Sequence, residues 1–230
     1  CLSNLAMIHY SYERWGVAPP AAMYHHARDL WDVVRMMVFD DGRLARIGGD
    51  TRIRYCYCQD YLIPALIFAA DHWRDDEAAR LLGGAIELIR MEQADNADGG
   101  FHSGRLAHMR RVDPYYYPRL ETDTACALSM AIDWLDRRNG VGHRFASGSV
   151  SGAWSEPEHG AALHRSPTRL ASWAWRAFDA PQGFCLPPDD GHLAEWQENL
   201  AGHVDVLGSH AKRRVTRHEH NLPANKGRVH

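Results

Sequence analysis

Residues 61–70, Tyr-Leu-Ile-Pro-Ala-Leu-Ile-Phe-Ala-Ala, are apolar on nearly every side. A helix of that composition has no face to give to water, so other elements must enclose it. Pro64 falls in its first turns, where a missing N–H is tolerated. The neighbouring sequence offers the enclosing elements. Residues 3–15 place Leu5, Ile8, Tyr12 and Trp15 at helical spacing, and Gly16 with Pro19-Pro20 stops the pattern. Residues 21–39 predict one long helix, with Met23, Leu30, Val33, Val34, Met37 and Val38 opposite Arg28, Asp29, Asp32 and Arg35. Asp75-Asp76-Glu77 opens a helix running to about residue 92, because carboxylates favour the positive end of the helix dipole. A fifth helix is predicted over 121–138, carrying Ala125, Leu128, Ile132, Trp134 and Leu135.

Between these helices lie two polar stretches dressed alike. Residues 40–61 contain Asp41-Gly42, Gly48-Gly49, Arg52, Arg54, Tyr55, Cys56, Tyr57 and Cys58. Residues 98–119 contain Asp98-Gly99-Gly100, His102, Arg105, His108, Arg110, Arg111, Tyr115-Tyr116-Tyr117 and Arg119. Connections between packed helices are usually about 2–8 residues, so stretches this long read as sites rather than connectors. The two Asp-Gly pairs are 57 residues apart, a spacing that suits one helical hairpin plus its loop. Hairpins repeated side by side build solenoids or α/α toroids.

Past residue 140 the texture changes. Residues 141–160 are rich in Gly and Ser and read as a linker. Residues 161–178 alternate with period two in their second half and break at Ser166-Pro167, which predicts two strands; 182–187 and 203–207 are weaker strand candidates. The fold class expected is α+β by domain: an N-terminal α/α-hairpin domain at 1–140, the start of an antiparallel β-sheet domain at 141–211, and a basic tail at 212–230 with almost nothing apolar.

A net charge of -3 gives no support to a nucleic-acid partner held by bulk charge. No apolar run reaches the ~18 residues of a membrane span, so a soluble protein is expected. The chain begins at Cys1 without an initiator Met or signal peptide and reads as an internal fragment; its compartment is unmarked, a secreted or periplasmic one staying open. Five cysteines, with Cys56 and Cys58 as C-x-C, form neither a disulfide framework nor a zinc ribbon. His25-His26, His102 with His108, and His218-Glu219-His220 lack a His-Glu-x-x-His frame, so no metal site is expected. There is no Gly-x-Ser-x-Gly elbow and no Gly-x-x-x-x-Gly-Lys loop, which sets aside serine hydrolases and nucleotide binders.

A helical-hairpin domain with Asp-Gly loops, then a Gly/Ser crossing and a β-domain, resembles the polysaccharide lyases built from an α/α toroid and a β-sandwich: the heparinase II/III-like, alginate and chondroitin/hyaluronate lyases. Three stretches carry the resemblance. Asp41-Gly42 through Tyr55-Cys56-Tyr57 resembles the family's Asp-Gly … Gly-Ser … Tyr-His-x-Tyr loop, with Cys56 in the histidine's place. Leu163-His164-Arg165-Ser166-Pro167 through Trp175 resembles its His-Arg strand pair, and Trp196-Gln197-Glu198-Asn199-Leu200-Ala201-Gly202 resembles its Asn-x-Glu-Asn-x-x-Gly segment. The resemblance implies an incomplete toroid, an acidic polysaccharide or oligosaccharide as partner, no cofactor, and cleavage of a uronic-acid chain by β-elimination.

That reaction removes the C5 proton beside a carboxylate and expels the O4 leaving group. The carboxylate must be neutralised most strongly in the enolate-like transition state, which calls for cationic donors; Arg52, Arg54, Arg105 and Arg119 are the candidates. Tyr55 or Tyr57, with His102, would share the proton transfers, and Tyr116 between Arg111 and Arg119 is a further participant. Glu198 and Asn199 would bind sugar. Two other readings stay open: a glycoside hydrolase using paired carboxylates such as Asp50, Asp60, Asp98 or Asp123, and a carbohydrate-binding scaffold without catalysis.

Overall fold

The computed structural model describes residues 1–45, 47, 59–138, 150–176 and 182–192. Six α-helices and a four-stranded antiparallel sheet are found among them. The chain divides into two compact units, one formed by Cys1–Trp31 and Cys56–Ala146, the other by Asp32–Tyr55 and Ser147–His230. The expected division near residue 140 therefore needs one change: the segment from Asp32 to Tyr55 groups with the sheet, not with the helices. The predicted strand at 203–207 and the tail at 212–230 lie outside the described residues.

In the helical unit, α3 (Leu62–His72) is the element everything else surrounds. Every residue from Leu62 to Ala70 is buried, as its all-round apolar sequence requires. It packs against α1 (Leu2–Arg14), α4 (Asp76–Asp95) and α6 (Tyr116–Asp136). α1 gives Leu2, Ala6, His9 and Tyr10 to that contact, and α6 gives Leu120, Thr124, Ala127, Ala131 and Trp134, both sets at three- and four-residue spacing.

Side-chain partners fix the directions of these helices. Ser3 donates to the Tyr61 carbonyl at the start of α3, while the Tyr10 hydroxyl donates to Asp71 at its end (3.3 Å), so α1 runs parallel to α3. Thr124 donates to Asp60 ahead of α3 (2.7 Å), and Arg138, just past α6, reaches Asp71 (2.6 Å), so α6 is parallel as well. α4 returns antiparallel through a turn of three residues in which Arg74 takes φ 54°. Asp75 closes that turn with both oxygens. Oδ1 accepts the Ala78 N–H (3.1 Å) as a helix cap and Oδ2 accepts the Trp31 indole N–H (2.8 Å); such a cap contributes about 1 kcal/mol.

The long helix expected over 21–39 is broken. A 3-10 turn, Ala21–Tyr24, is followed by His26 at φ 55°, then α2 (Ala27–Val34), a second 3-10 turn at Arg35–Met37, and extended Val38. A histidine in the left-handed region ends one helical run before the next begins. Val38 leaves the helix to bridge Leu44. The second Asp-Gly stretch also holds a short helix, α5 (Ala107–Val112), that sequence periodicity did not predict, and α6 begins five residues earlier than expected.

In the sheet unit, β1 (Gly152–Glu156), β2 (Ala161–Ser166), β3 (Arg169–Ala174) and β4 (Gln182–Leu186) follow one another as a meander. β1 falls inside the stretch read as a linker. The β2–β3 hairpin turns at Ser166-Pro167, where the Ser166 hydroxyl accepts the N–H groups of Thr168 and Arg169 (3.4 and 3.1 Å). Leu163, Leu170 and Phe184 point into a core closed by Met36, Phe39, Ala45 and Val150.

Arg165 enters that core with 1% of its surface exposed. Its guanidinium donates to the Met36 carbonyl (3.4 Å), the Val38 carbonyl and Asp40 Oδ1 (2.8 Å), tying the sheet to the turn at 39–43. In that turn Asp41 Oδ1 accepts the Arg43 N–H and Oδ2 accepts the Gly191 N–H (both 3.0 Å), with Gly42 at φ 90°. A Cβ on Gly191 would come within 2.7 Å of Asp41 Oδ1 and 2.9 Å of Phe39 Cγ, so the close approach demands glycine here.

Candidate functional site

The second Asp-Gly turn repeats the local chemistry of the first. Asp98 Oδ1 accepts the Gly100 N–H (3.1 Å) and the Ser103 hydroxyl, and Gly99 sits at φ 75°. Those two hydrogen bonds, the Ser103 one first, hold the Asp98 carboxyl below its usual range. Asn96 donates to the carbonyls of Gly100 (2.9 Å) and Phe101 (3.1 Å). Glu121, one turn into α6, accepts the N–H groups of Phe101 (2.7 Å) and His102 (3.0 Å) and the Tyr117 hydroxyl (2.6 Å). The loop is thus fastened to α6 through its backbone, which aims the His102 side chain inward.

There it meets a buried chain of hydrogen bonds. Thr124 Oγ1 lies 2.7 Å from Asp60 Oδ2 and 3.0 Å from His102 Nε2, and all three residues are at most 2% exposed. A carboxylate only accepts, so the single hydroxyl proton of Thr124 points to Asp60. His102 must then carry its proton on Nε2 and donate it to Thr124. In a neutral ring Nδ1 is then the lone-pair nitrogen, and it is buried without a hydrogen-bond partner.

Around this relay the same end of the helical unit gathers aromatic and cationic groups. The Tyr61 hydroxyl donates to Asp123 Oδ1 (3.4 Å), and Arg119 Nε lies 3.7 Å from Asp123 Oδ2. The Arg119 guanidinium also covers the half-buried Tyr116 ring at 5.3 Å. Of the residues expected from sequence, the fold therefore brings together His102, Tyr116, Arg119, Asp60 and Asp123. Arg105 is engaged elsewhere, donating to both oxygens of Glu92 (2.9 and 2.8 Å). Asp50, Arg52, Arg54, Tyr55, Tyr57, Glu198 and Asn199 lie outside the described residues. Tyr61, which closes the first Asp-Gly stretch and reads from sequence as equally suited to packing and to catalysis, lies at this end as well. Sequence reasoning missed Glu121 and Thr124, which sit at helix spacing on α6, where nothing in the sequence shows that a loop returns to meet them.

A groove lies elsewhere on the helical unit. It occupies about 680 Å³ between α1 and α6, lined by Glu13, Arg14, Arg137 and Arg138 among others, at the ends of those helices away from His102. Nearby, His9 and His72 pack their rings 4.7 Å apart. Burial above all lowers the pKa of both imidazoles below the ordinary value near 6.5. A histidine held neutral in the fold takes up protons more readily once unfolded. Its contribution is complete above about pH 6.5 and is lost as pH falls from there toward the lowered folded values. The melting temperature is therefore expected to drop between pH 7 and pH 5, and His72→Gln should flatten that slope in circular-dichroism melts. An unchanged melting temperature across the interval would refute this account.

Among the described residues no three His, Cys, Asp or Glu side chains converge on a metal position, and no helix is long and apolar enough to cross a membrane. In comparisons with known proteins the chain matches no family model, no curated protein and no solved structure.

Proposed function

We propose that the chain is a carbohydrate-active lyase that opens a uronic-acid polysaccharide by β-elimination, with His102 as a proton-transferring group. The observation that carries this reading is the Asp60–Thr124–His102 relay. An imidazole held from behind through Nε2, with Nδ1 left without a hydrogen-bond partner, is suited to act as a general base. Arg119, with its side chain 59% exposed, supplies the cation that a uronate carboxylate needs as charge builds on it in the transition state. Tyr116 under Arg119, and Tyr61 beside it, offer a ring face and a hydroxyl to the sugar. The parallel run of α1, α3 and α6, with α4 returning behind α3, supports a layer of stacked α/α hairpins as in a toroid.

At 2% exposure His102 meets a sugar only after the loop at 98–104 lifts from α6. The reading therefore includes that motion. A hydrolase with paired carboxylates has less support at this end, because Asp60 is tied to Thr124, and Asp123 to Tyr61 and Arg119.

The test is to incubate the purified chain with alginate, polygalacturonate, hyaluronan, chondroitin sulfate and heparin while following ultraviolet absorbance and reducing ends together. Absorbance from an unsaturated uronate, rising with the reducing ends, is expected on at least one polymer. Reducing ends without absorbance would mean hydrolysis and overturn the elimination. Neither signal on any polymer would overturn the enzyme.

A further inference from the structure

Four described tyrosines hydrogen-bond through their hydroxyls to another side chain, and one of them differs in kind. Tyr10 donates to Asp71 (3.3 Å), Tyr61 to Asp123 (3.4 Å) and Tyr117 to Glu121 (2.6 Å). A carboxylate partner opposes loss of the phenolic proton. Burial first, and the neighbouring carboxylate after it, push the Tyr10 and Tyr117 phenols above their ordinary value. Tyr24, whose phenol is also pushed above its ordinary value by burial and then by the Glu13 carboxylate, is paired instead with an imidazole: its hydroxyl lies 2.8 Å from His9 Nδ1, so its reactivity rests on a neighbouring base and not on a lowered pKa.

The far side of that imidazole fixes the direction of the proton. His9 Nε2 is 3.3 Å from Glu13 Oε1, one helical turn on along α1. A carboxylate accepts only, so Nε2 bears the ring proton and Nδ1 is the acceptor for the Tyr24 hydroxyl. Three groups stand in line: a carboxylate, an imidazole oriented by it, and a hydroxyl oxygen whose proton the imidazole can take. That is the arrangement by which a base raises the nucleophilicity of a neutral hydroxyl.

The setting favours the same chemistry. His9 is 5% exposed while Tyr24, closing the 3-10 turn Ala21–Tyr24 behind Pro19-Pro20, is only part buried, so the base is sheltered and the tyrosine is the more accessible residue of the pair. The Tyr24 ring stacks on His72 (5.0 Å, 15°) and lies parallel to Phe68 (6.4 Å, 8°), which holds the hydroxyl on His9. The charged and titratable groups facing His9 are Glu13 on its own helix, His72 and Asp71 on α3, and Arg138 beyond α6. Burial, with His72 and Arg138, outweighs Glu13 and Asp71, so the imidazole is neutral and able to accept a proton at neutral pH.

We propose that Tyr24 is a nucleophilic tyrosine, a site on the helical unit that accepts acyl groups from activated esters and amides with His9 as its general base and Glu13 as the orienting carboxylate. In the step, the Tyr24 oxygen forms a bond to the acyl carbon as its proton passes to His9 Nδ1. The acyl bond to the leaving group breaks, and the leaving group departs with that proton, restoring neutral His9. With N-acetylimidazole the products are O-acetyl-Tyr24 and imidazole.

The experiment treats the full chain with N-acetylimidazole and follows each tyrosine by peptide mass spectrometry. Tyr115, 91% exposed, is the internal reference for an unassisted phenol in the same tube. Tyr24 is expected to acetylate about tenfold or more faster than Tyr115, with a rate that rises through a midpoint below the ordinary histidine value. In His9→Gln the Tyr24 rate should fall to that of Tyr115, and in Glu13→Gln it should fall several-fold, with circular dichroism confirming both folds. If His9→Gln does not fold, the wild-type ratio and pH profile decide alone. Equal or slower labelling of Tyr24 than of Tyr115, or a Tyr24 rate unchanged in a folded His9→Gln, would overturn the proposal. The outcome is independent of any lyase activity.

Discussion

Replacing Arg165, which sits on β2, with leucine is expected to destabilise the sheet unit by about 3 kcal/mol while leaving the backbone pairing of the strands in place. The guanidinium is almost wholly enclosed and donates to the carbonyls of Met36 and Val38 as well as to Asp40. Leucine fills part of the space but donates nothing. Val38 is fully buried, so its carbonyl would stay unpaired, and an orphaned buried acceptor costs about 1–3 kcal/mol. The stranded carboxylate adds less than an isolated buried ion would, because the Asp40 side chain is 33% exposed and can hydrate. Lysine should not rescue the loss, since one ammonium cannot replace a planar fork reaching three acceptors. Urea denaturation followed by tryptophan fluorescence measures the change. A midpoint for Arg165→Leu within error of the parent would refute the view that this side chain fastens residues 36–40 to the sheet.

The same arginine shows what the sequence does and does not disclose. Period-two alternation from Leu170 onward, with the break at Ser166-Pro167, marks two strands, and Leu163, Leu170 and Ala174 face inward in the observed register. The polar stretch at 40–43 looks from sequence like part of a ligand loop, because aspartate and glycine suit binding sites and tight turns equally. In the fold it is a turn fastened by Asp41 and Arg165. What decides between the two uses is a partner more than a hundred residues away along the chain, which no local pattern carries. Helices α1, α3 and α4 were legible as helices from their apolar content, but the face predicted for α1 is not the one the fold buries: Leu2, Ala6, His9 and Tyr10 turn inward while Ile8 and Trp15 stand exposed. The break at His25-His26 was not legible, since histidine interrupts a helix here through one left-handed backbone angle rather than through composition. At the candidate site, His102, Tyr116 and Arg119 were visible as residue types suited to uronate chemistry. Thr124 was not: an inward threonine on a helix reads as filler until a histidine and an aspartate are seen on either side of its hydroxyl.

That hydroxyl is the point at which the site is most exposed to test. Thr124→Val keeps the side-chain shape and deletes one oxygen, leaving Asp60 Oδ2 without its donor from Thr124 and His102 Nε2 without its acceptor, both buried. Each loss falls in the range of about 1–3 kcal/mol for an unmet buried polar group, so a total destabilisation of about 2–4 kcal/mol is expected, read by urea denaturation. His102→Gln tests the proton transfer itself. A glutamine amide can still donate to Thr124, so the network behind it survives in part, but it presents no basic nitrogen where Nδ1 stood. With a polysaccharide that the chain cleaves, turnover should fall by about 10²–10⁴-fold with KM little changed, the scale of a lost general base. Thr124→Val should share much of that loss, because without the Nε2 contact the imidazole can place its proton on Nδ1 and block the lone pair. A His102→Gln protein that folds and turns over at the parental rate would reduce the relay to a structural clasp. It would also move the search for the base to the tyrosines at the same end of α3.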